Sequence, residues 1–186
     1  WLKAHAEDFN TSAHMVGGLG ISSGGHQLML SAMRPRDLRY NSIPLDAGIN
    51  ADANLAYLIA GWVPIDPLTR FLRAEAEGDA DLAAATARYF VDEAGMREAN
   101  PQLMLERGEN LAMPPVLLVQ GANDSFITPG VAERFVEHYA AAGGLIEFAK
   151  YPGEPHAFMR SPGPNTSHAL ALMKSFIARR LADPNL

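Results

Sequence analysis

Residues Gly20-Ile21-Ser22-Ser23-Gly24-Gly25 follow directly on the mostly apolar run His14-Met15-Val16-Gly17-Gly18-Leu19 and precede a helix-forming run from Gln27 to Met33. The pattern is G-x-S-x-G between a strand and a helix, the sequence form of a nucleophile elbow. A serine on such a tight turn is lifted out of the sheet with its hydroxyl exposed. Gly20 and Gly24, two before and two after Ser22, are expected to leave room where side chains would collide. The helix behind Ser22 aims its partially positive N-terminus at the place where an oxyanion would form. This stretch predicts a serine hydrolase.

Outward from the elbow, short apolar strands alternate with helices. Met15 to Ile21 reads as a strand and Ser23 to Met33 as a helix stopped by Pro35, with mostly loop over Arg34 to Asn54. Leu55 to Trp62, Pro115 to Gln120 and Leu145 to Tyr151 read as three further strands. Val131 to Ala142 and His168 to Leu181 carry apolar residues at helical spacing, and Gly143-Gly144 stops the first. Strands alternating with helices predict an α/β fold with a doubly wound, mostly parallel sheet. Residues 66–114 break the rhythm with a long helical stretch rich in Ala, Glu and Arg, in which Leu82 to Val91 is the clearest helix. An insertion of that length on an α/β sheet predicts a cap over the site; helices packed on the sheet flank are the plainer alternative.

The 186 residues predict one domain, 1–186, with the insertion inside it. Nearly half of them are apolar, enough for a real core. A net charge of −6 argues against a nucleic-acid partner, which needs a basic surface. No apolar run approaches the roughly 18 residues of a membrane span. Without cysteine there is neither a disulfide framework nor a thiolate metal site, which fits a reducing, cytoplasmic setting. Trp1 stands inside what reads as an amphipathic helix, with Trp1, Leu2 and Phe9 on its apolar side and Lys3, Glu7 and Asp8 on its polar side. The expectation is that further sequence lies upstream, and a signal peptide with it is left open.

A serine nucleophile needs a base within hydrogen-bond reach, and the base needs an orienting acid. On an α/β sheet their chain order is serine, acid, histidine. Asp124, in Gln120-Gly121-Ala122-Asn123-Asp124, follows the third strand, and ligands of open α/β sheets sit at that edge. His156, in Tyr151-Pro152-Gly153-Glu154-Pro155-His156-Ala157-Phe158, lies after the fourth strand and before the last helix. Asp124 taken alone would read as a solvated turn residue, and a lone loop histidine as a surface group. Of the other histidines, His138 falls inside a helix, His168 at the start of one, and His5 and His14 before the elbow. His26, one helical turn past Ser22, is expected to pack behind the elbow. Asp66, after the second strand, is a rival acid that also reads as a helix entry, and Glu154 reads as loop-shaping. Ser23 is the rival nucleophile, but Ile21 rather than glycine stands two residues before it. Its expected role is a backbone N–H for the oxyanion hole.

Three motifs, GISSGGH at 20–26, QGANDSFITP at 120–129 and YPGEPHAF at 151–158, resemble the α/β-hydrolase superfamily. The likeness is to its carboxylesterase and lipase-like branch, with hormone-sensitive-lipase-type and dienelactone-hydrolase-like enzymes. The resemblance implies Ser22 as nucleophile, Asp124 as acid and His156 as base. The implied reaction is cleavage of a small carboxylic ester through an acyl-enzyme, with no cofactor or metal. Trp62 to Asp66 and the cap after it resemble the family's pocket-shaping insertion, so Trp62, Phe71, Tyr89 and Phe90 are candidate pocket residues. Two features depart from the family. The HGGG-type loop that supplies further oxyanion N–H groups does not occur, and only four strands are visible, fewer than the family's sheet carries. The chain then reads as the C-terminal portion of the sheet. A second chain or a further segment is expected to carry the N-terminal strands and to cover an open apolar edge; homo-oligomerisation is left open.

Other readings remain. A prolyl-oligopeptidase-like peptidase shares the triad order, although the residue at Ser23 is usually aromatic there. A hydrolase scaffold without catalysis is compatible with the missing oxyanion loop. Gly18-Leu19-Gly20 followed by Gly24 brushes against the dinucleotide fingerprint, but the third glycine comes one residue late and no acid ends a second strand about 20 residues on.

Overall fold

The computed structural model describes residues 1–40 and 52–182. At its centre lie β1 (Gly18–Ile21), β2 (Leu58–Gly61), β3 (Val116–Gly121) and β4 (Ile146–Tyr151), side by side in that order. Each neighbouring pair is parallel, with Gly20 level with Ala60, Ala60 with Leu118, and Leu118 with Phe148. The helices are α1 (Ser22–Met33), α2 (Pro67–Glu77), α3 (Ala80–Phe90), α4 (Glu93–Glu98), α5 (Pro101–Glu106), α6 (Val131–Ala141) and α7 (Pro164–Ala182). Because the strands are parallel, the loops that follow them all emerge at one edge of the sheet.

Side-chain alternation along the strands splits the core between two faces. Leu58, Ala60, Val116 and Leu118 meet Met29, Ala32 and Met33 of α1 and Phe135 and Tyr139 of α6. Ile59, Leu117 and Val119 meet Ala169, Met173 and Phe176 of α7, together with Trp62, Tyr151 and Phe158. β2 and β3 are buried along their whole length, as central strands of a parallel sheet are. β1 forms one edge, and no described strand pairs with its outer side. Its Leu19 and Ile21 remain exposed.

Several element boundaries differ from expectation. β1 and β2 are four residues each: Ala13–Met15 forms a 3-10 turn, and before β2 only Ala56 N–H and Tyr57 O reach across, to Val16 O and Gly18 N–H, without extending the strand. The last helix begins at Pro164, not His168; proline suits a first helical position, where its missing N–H has no partner to lose. Leu2–Phe9 is a 3-10 helix kinked at His5, whose buried residue is Ala6. Trp1, Leu2 and Phe9, expected on a shared apolar side, are exposed, with Trp1 stacked on His5 at 4.1 Å. The loop expected over 34–54 falls partly on 41–51, which lie outside the described residues. Among the described residues no helix is long and apolar enough to cross a membrane.

The stretch 66–114 holds four helices with conventional starts. Asp66, Asp79, Asp92 and Asn100 each accept the N–H three residues on, at the entries of α2, α3, α4 and α5. Leu68, Phe90 and Met96 form a small core of their own, with Phe71, Ala87, Ala99 and Leu103 packed around it. Asp66, the rival acid, is 3% exposed and fully engaged. It takes Thr69 N–H and Oγ1–H, Asn100 Nδ2–H and Arg134 Nη2–H, tying α2 to α5 and α6. Arg34 at the end of α1 binds Glu98 and Glu109, fastening the insertion to the elbow helix.

Candidate active site

Ser22 stands at the first position of α1 with φ +48°, a left-handed backbone held by a non-glycine residue. Such a conformation costs about 1–3 kcal/mol and persists only where the surroundings enforce it. The enforcement comes from Gly20 and Gly25. A Cβ on Gly20 would sit 2.7 Å from Gly25 Cα, and one on Gly25 would sit 2.8 Å from Gly20 O. Gly24, expected to make that room, has nothing within 4 Å of its Cβ position. The correction is geometric: Gly25 faces back onto the strand, and Gly24 faces away from it.

His156 and Asp124 reach Ser22 through two loops sewn together. Ala122 N–H bonds Tyr151 O at 2.9 Å, and Asn123 N–H bonds Glu154 O at 2.9 Å. A side chain on Gly121 would collide with the carbonyls of Glu154 and Pro155, so that glycine permits the contact. Glu154 accepts Asn165 Nδ2–H at 2.7 Å, anchoring the histidine loop to the start of α7. The result is a chain of two bonds: Ser22 Oγ lies 3.1 Å from His156 Nε2, and His156 Nδ1 lies 2.7 Å from Asp124 Oδ2.

Asp124 is 8% exposed. Its Oδ2 also accepts Gln120 Nε2–H at 2.8 Å, and its Oδ1 accepts the N–H groups of Phe126 at 2.9 Å and Ile127 at 3.2 Å. Burial alone would raise its carboxyl, but the hydrogen bonds from His156 and Gln120 and the Phe126 N–H outweigh it and hold the pKa below the ordinary 3.8. An ionised carboxylate only accepts, so Nδ1 of His156 carries the proton and Nε2 is left to accept from Ser22. Phe126 lies against the imidazole with ring centres 4.9 Å apart, and Trp62 meets it edge-on at 6.4 Å.

A cavity of about 320 Å³ opens over these groups, lined by Ser22, Ser23, His26, Pro64, Arg70, Ala85, Tyr89, Phe90, Phe126, Ile127 and His156. Residues of α2 and α3 thus form one wall of the cavity, whereas α5 packs against α1 and α6. Tyr89 and Phe90 line the cavity. Trp62 and Phe71 do not. Trp62, at φ +41° after β2, is 3% exposed and packs on Phe158, so it backs His156 from behind. Phe71 faces the small core of the insertion. Arg70, Pro64, Ala85, Phe126 and Ile127 were not legible as cavity residues; only Phe126 and Ile127, directly after Asp124, carried a positional hint. Ser23 lies in the first turn of α1, where backbone N–H groups have no intrahelical acceptor, and no side chain caps that helix.

His26 is 1% exposed and donates from Nε2 to Ala99 O at 2.8 Å, while its Nδ1 is buried without a partner. Burial pulls its pKa below the ordinary 6.5, against the Ala99 bond and with help from the Arg70 charge. A depressed histidine pKa means that the unfolded chain binds the extra proton first. The stability it contributes is present above about pH 6.5 and is lost as pH falls below that value. Between about pH 7.5 and 5.5 the melting temperature of the wild type should fall. In His26→Gln, which keeps a donor for Ala99 O, it should fall less; parallel melting curves for the two proteins would contradict this.

Probable carboxylic ester hydrolase LipM of Mycobacterium tuberculosis is 24% identical over 183 residues, covering 96% of this chain and 40% of that protein. Among solved structures, propionate-bound esterase 2 of Thermogutta terrifontis superposes with a TM-score of 0.67 at 19% identity, covering 96% of this chain and 61% of that one. An acetyl ester-xyloside bifunctional hydrolase of Caldicellulosiruptor lactoaceticus gives a TM-score of 0.68 at 15% identity, covering 96% and 61%. The chain thus spans less than two thirds of the length of each of these relatives, and the solved structures share its fold. Residues 1–160 match a family model described as alpha/beta hydrolase fold. The chain belongs to that α/β-hydrolase family.

Proposed function

We propose that this chain carries the catalytic centre of a carboxylic ester hydrolase that works through an acyl-enzyme on Ser22. The observation that carries the reading is the bond chain from Ser22 Oγ to His156 Nε2 (3.1 Å) and from His156 Nδ1 to Asp124 Oδ2 (2.7 Å). Its setting, at the C-terminal edge of a parallel sheet and beneath a cavity, supports it. So does the relatedness to named ester hydrolases.

In the proposed reaction His156 Nε2 takes the Ser22 proton as Oγ attacks the ester carbonyl. Asp124 holds the imidazole in the required tautomer and stabilises the imidazolium. The carbonyl oxygen becomes an oxyanion at the N-terminus of α1, where Ser23 N–H is a donor; one such donor contributes about 3 kcal/mol to the transition state. His156 then protonates the leaving alcohol. Water, deprotonated by the same imidazole, attacks the acyl-enzyme and frees Ser22. The proposed chemistry uses these side chains, the backbone N–H groups at the start of α1 and water. The helices of 66–114 serve as a cap whose wall selects the acyl or alcohol group, and the substrates are small esters.

A panel of 4-nitrophenyl esters of increasing acyl length, run beside aminoacyl-4-nitroanilides, tests the reading. Turnover of short-chain esters with the anilides left intact is the expected result. Turnover of the anilides alone would replace the esterase by a peptidase.

A further inference from the structure

The Arg70 guanidinium lines the cavity over Ser22 without a counter-ion. Its Nε is buried with no partner, and no described carboxylate lies within ion-pairing distance of it. Its neighbours are different. Arg73, one turn on, binds Glu77 and the carbonyls of Ser125 and Ile127. Arg134 binds Asp66. Arg88 and Arg160, which also lack a described carboxylate partner, are exposed to water, whereas Arg70 is half-buried. Asp124 and Asp79 attract Arg70 through space, yet neither forms an ion pair with it, and each Asp124 oxygen already accepts two hydrogen bonds, which fills its capacity. His26, beside Arg70, is held neutral by burial and offers no charge. Arg70 is thus a permanent, half-buried cation on a cavity also lined by Pro64, Ala85 and Ile127, a placement that costs desolvation with no ion pair to offset it.

We propose that Arg70 is a specificity-determining residue that binds the carboxylate of the substrate, so that this site favours esters carrying a free carboxylate over neutral ones. The proposal rests on the ester-hydrolase reading and narrows its substrate class. A guanidinium presents its N–H groups as a planar fork that matches a carboxylate in two parallel bonds. A neutral ester in the same cavity would leave that fork unpaired. Hydrogen bonds to charged groups are strong enough to make the preference about 10- to 100-fold in kcat/KM. The carboxylate can sit on the acyl part, as in a half-ester of a dicarboxylic acid, or on the alcohol part, as in an acylated hydroxy acid. Either places an anion in the same cavity.

The test compares monoethyl adipate and 4-butanoyloxybutanoate, each against its neutral primary amide, on the purified full chain. The expected result is a preference for the anion in at least one pair, carried by KM and shrinking as salt is added. Arg70→Gln should bring the ratio close to one, and Arg70→Lys, which keeps the charge but loses the fork, should leave an intermediate ratio. Neutral amide esters turned over as well as both anions by the wild type would overturn the role of Arg70 while leaving the hydrolase reading intact. So would an unchanged ratio in Arg70→Gln. Should that variant fail to fold, the Lys variant and the salt dependence of the wild type decide. Absence of turnover with every ester would remove the hydrolase reading itself and this inference with it.

Discussion

Ser22→Ala should abolish labelling by a fluorophosphonate probe and lower kcat on a 4-nitrophenyl ester by roughly 10⁴- to 10⁶-fold. The magnitude follows from what the substitution removes. Ser22 Oγ is the group that meets His156 Nε2, at 3.1 Å, and no other described hydroxyl bonds that nitrogen. The donors at the N-terminus of α1 and the cavity would survive, which leaves a small residual rate over water. Labelling separates the two adjacent serines cleanly. Equal labelling of wild type and Ser22→Ala would move the nucleophile elsewhere, with Ser23 first in line. Loss of label in Ser22→Ala, with retention in Ser23→Ala, is the outcome that the elbow geometry requires, because only Ser22 holds the positive-φ turn position.

Asp124→Asn should cost about 10⁴-fold in kcat with little change in KM. The carboxylate is acceptor-only and so forces the proton of His156 onto Nδ1; an amide can present an N–H instead and turn the imidazole to the wrong tautomer. Acid stability offers an independent reading of the same residue. The Asp124 carboxyl is held below its ordinary 3.8, because hydrogen bonds from His156 and Gln120 and the Phe126 N–H outweigh its burial. A depressed carboxyl contributes stability that is present above the ordinary value and lost as pH falls through the depressed one. Melting temperatures followed from about pH 5 downward should therefore drop more steeply in the wild type than in Asp124→Asn. A variant that matches wild-type turnover would remove Asp124 from the mechanism. The rival acid, Asp66, is spent on capping α2 and binding Asn100 and Arg134.

Much of this fold is written in short-range patterns. The four strands and the helices that separate them follow from apolar runs, proline and glycine stops, and the three motifs at 20–26, 120–129 and 151–158. Parallel pairing then carries the consequences. Once every strand runs the same way, the residues after β1, β3 and β4 must meet at one edge, so Ser22, Asp124 and His156 could be proposed together from their places in the chain. Strand length was less legible. Leu55 to Tyr57 are as apolar as β2, and whether they pair depends on a neighbour, β1, that itself has only four residues.

The sequence by itself determined the α/β class, the elbow, and the strand-end positions of the serine, aspartate and histidine. All of these rest on turn chemistry and periodicity among adjacent residues. Only the tertiary structure decided which side chains face the cavity. Trp62 and Phe71 look like Tyr89 and Phe90 in composition, yet the first backs His156 and the second enters the insertion's own core. It also decided that Gly25 rather than Gly24 makes room for the turn, and that Arg70, indistinguishable in sequence from Arg73, is left without a partner. The physical reason is the same each time. The direction of a side chain is set by how α1, α2 and α3 dock across tens of residues, and no local pattern records that docking.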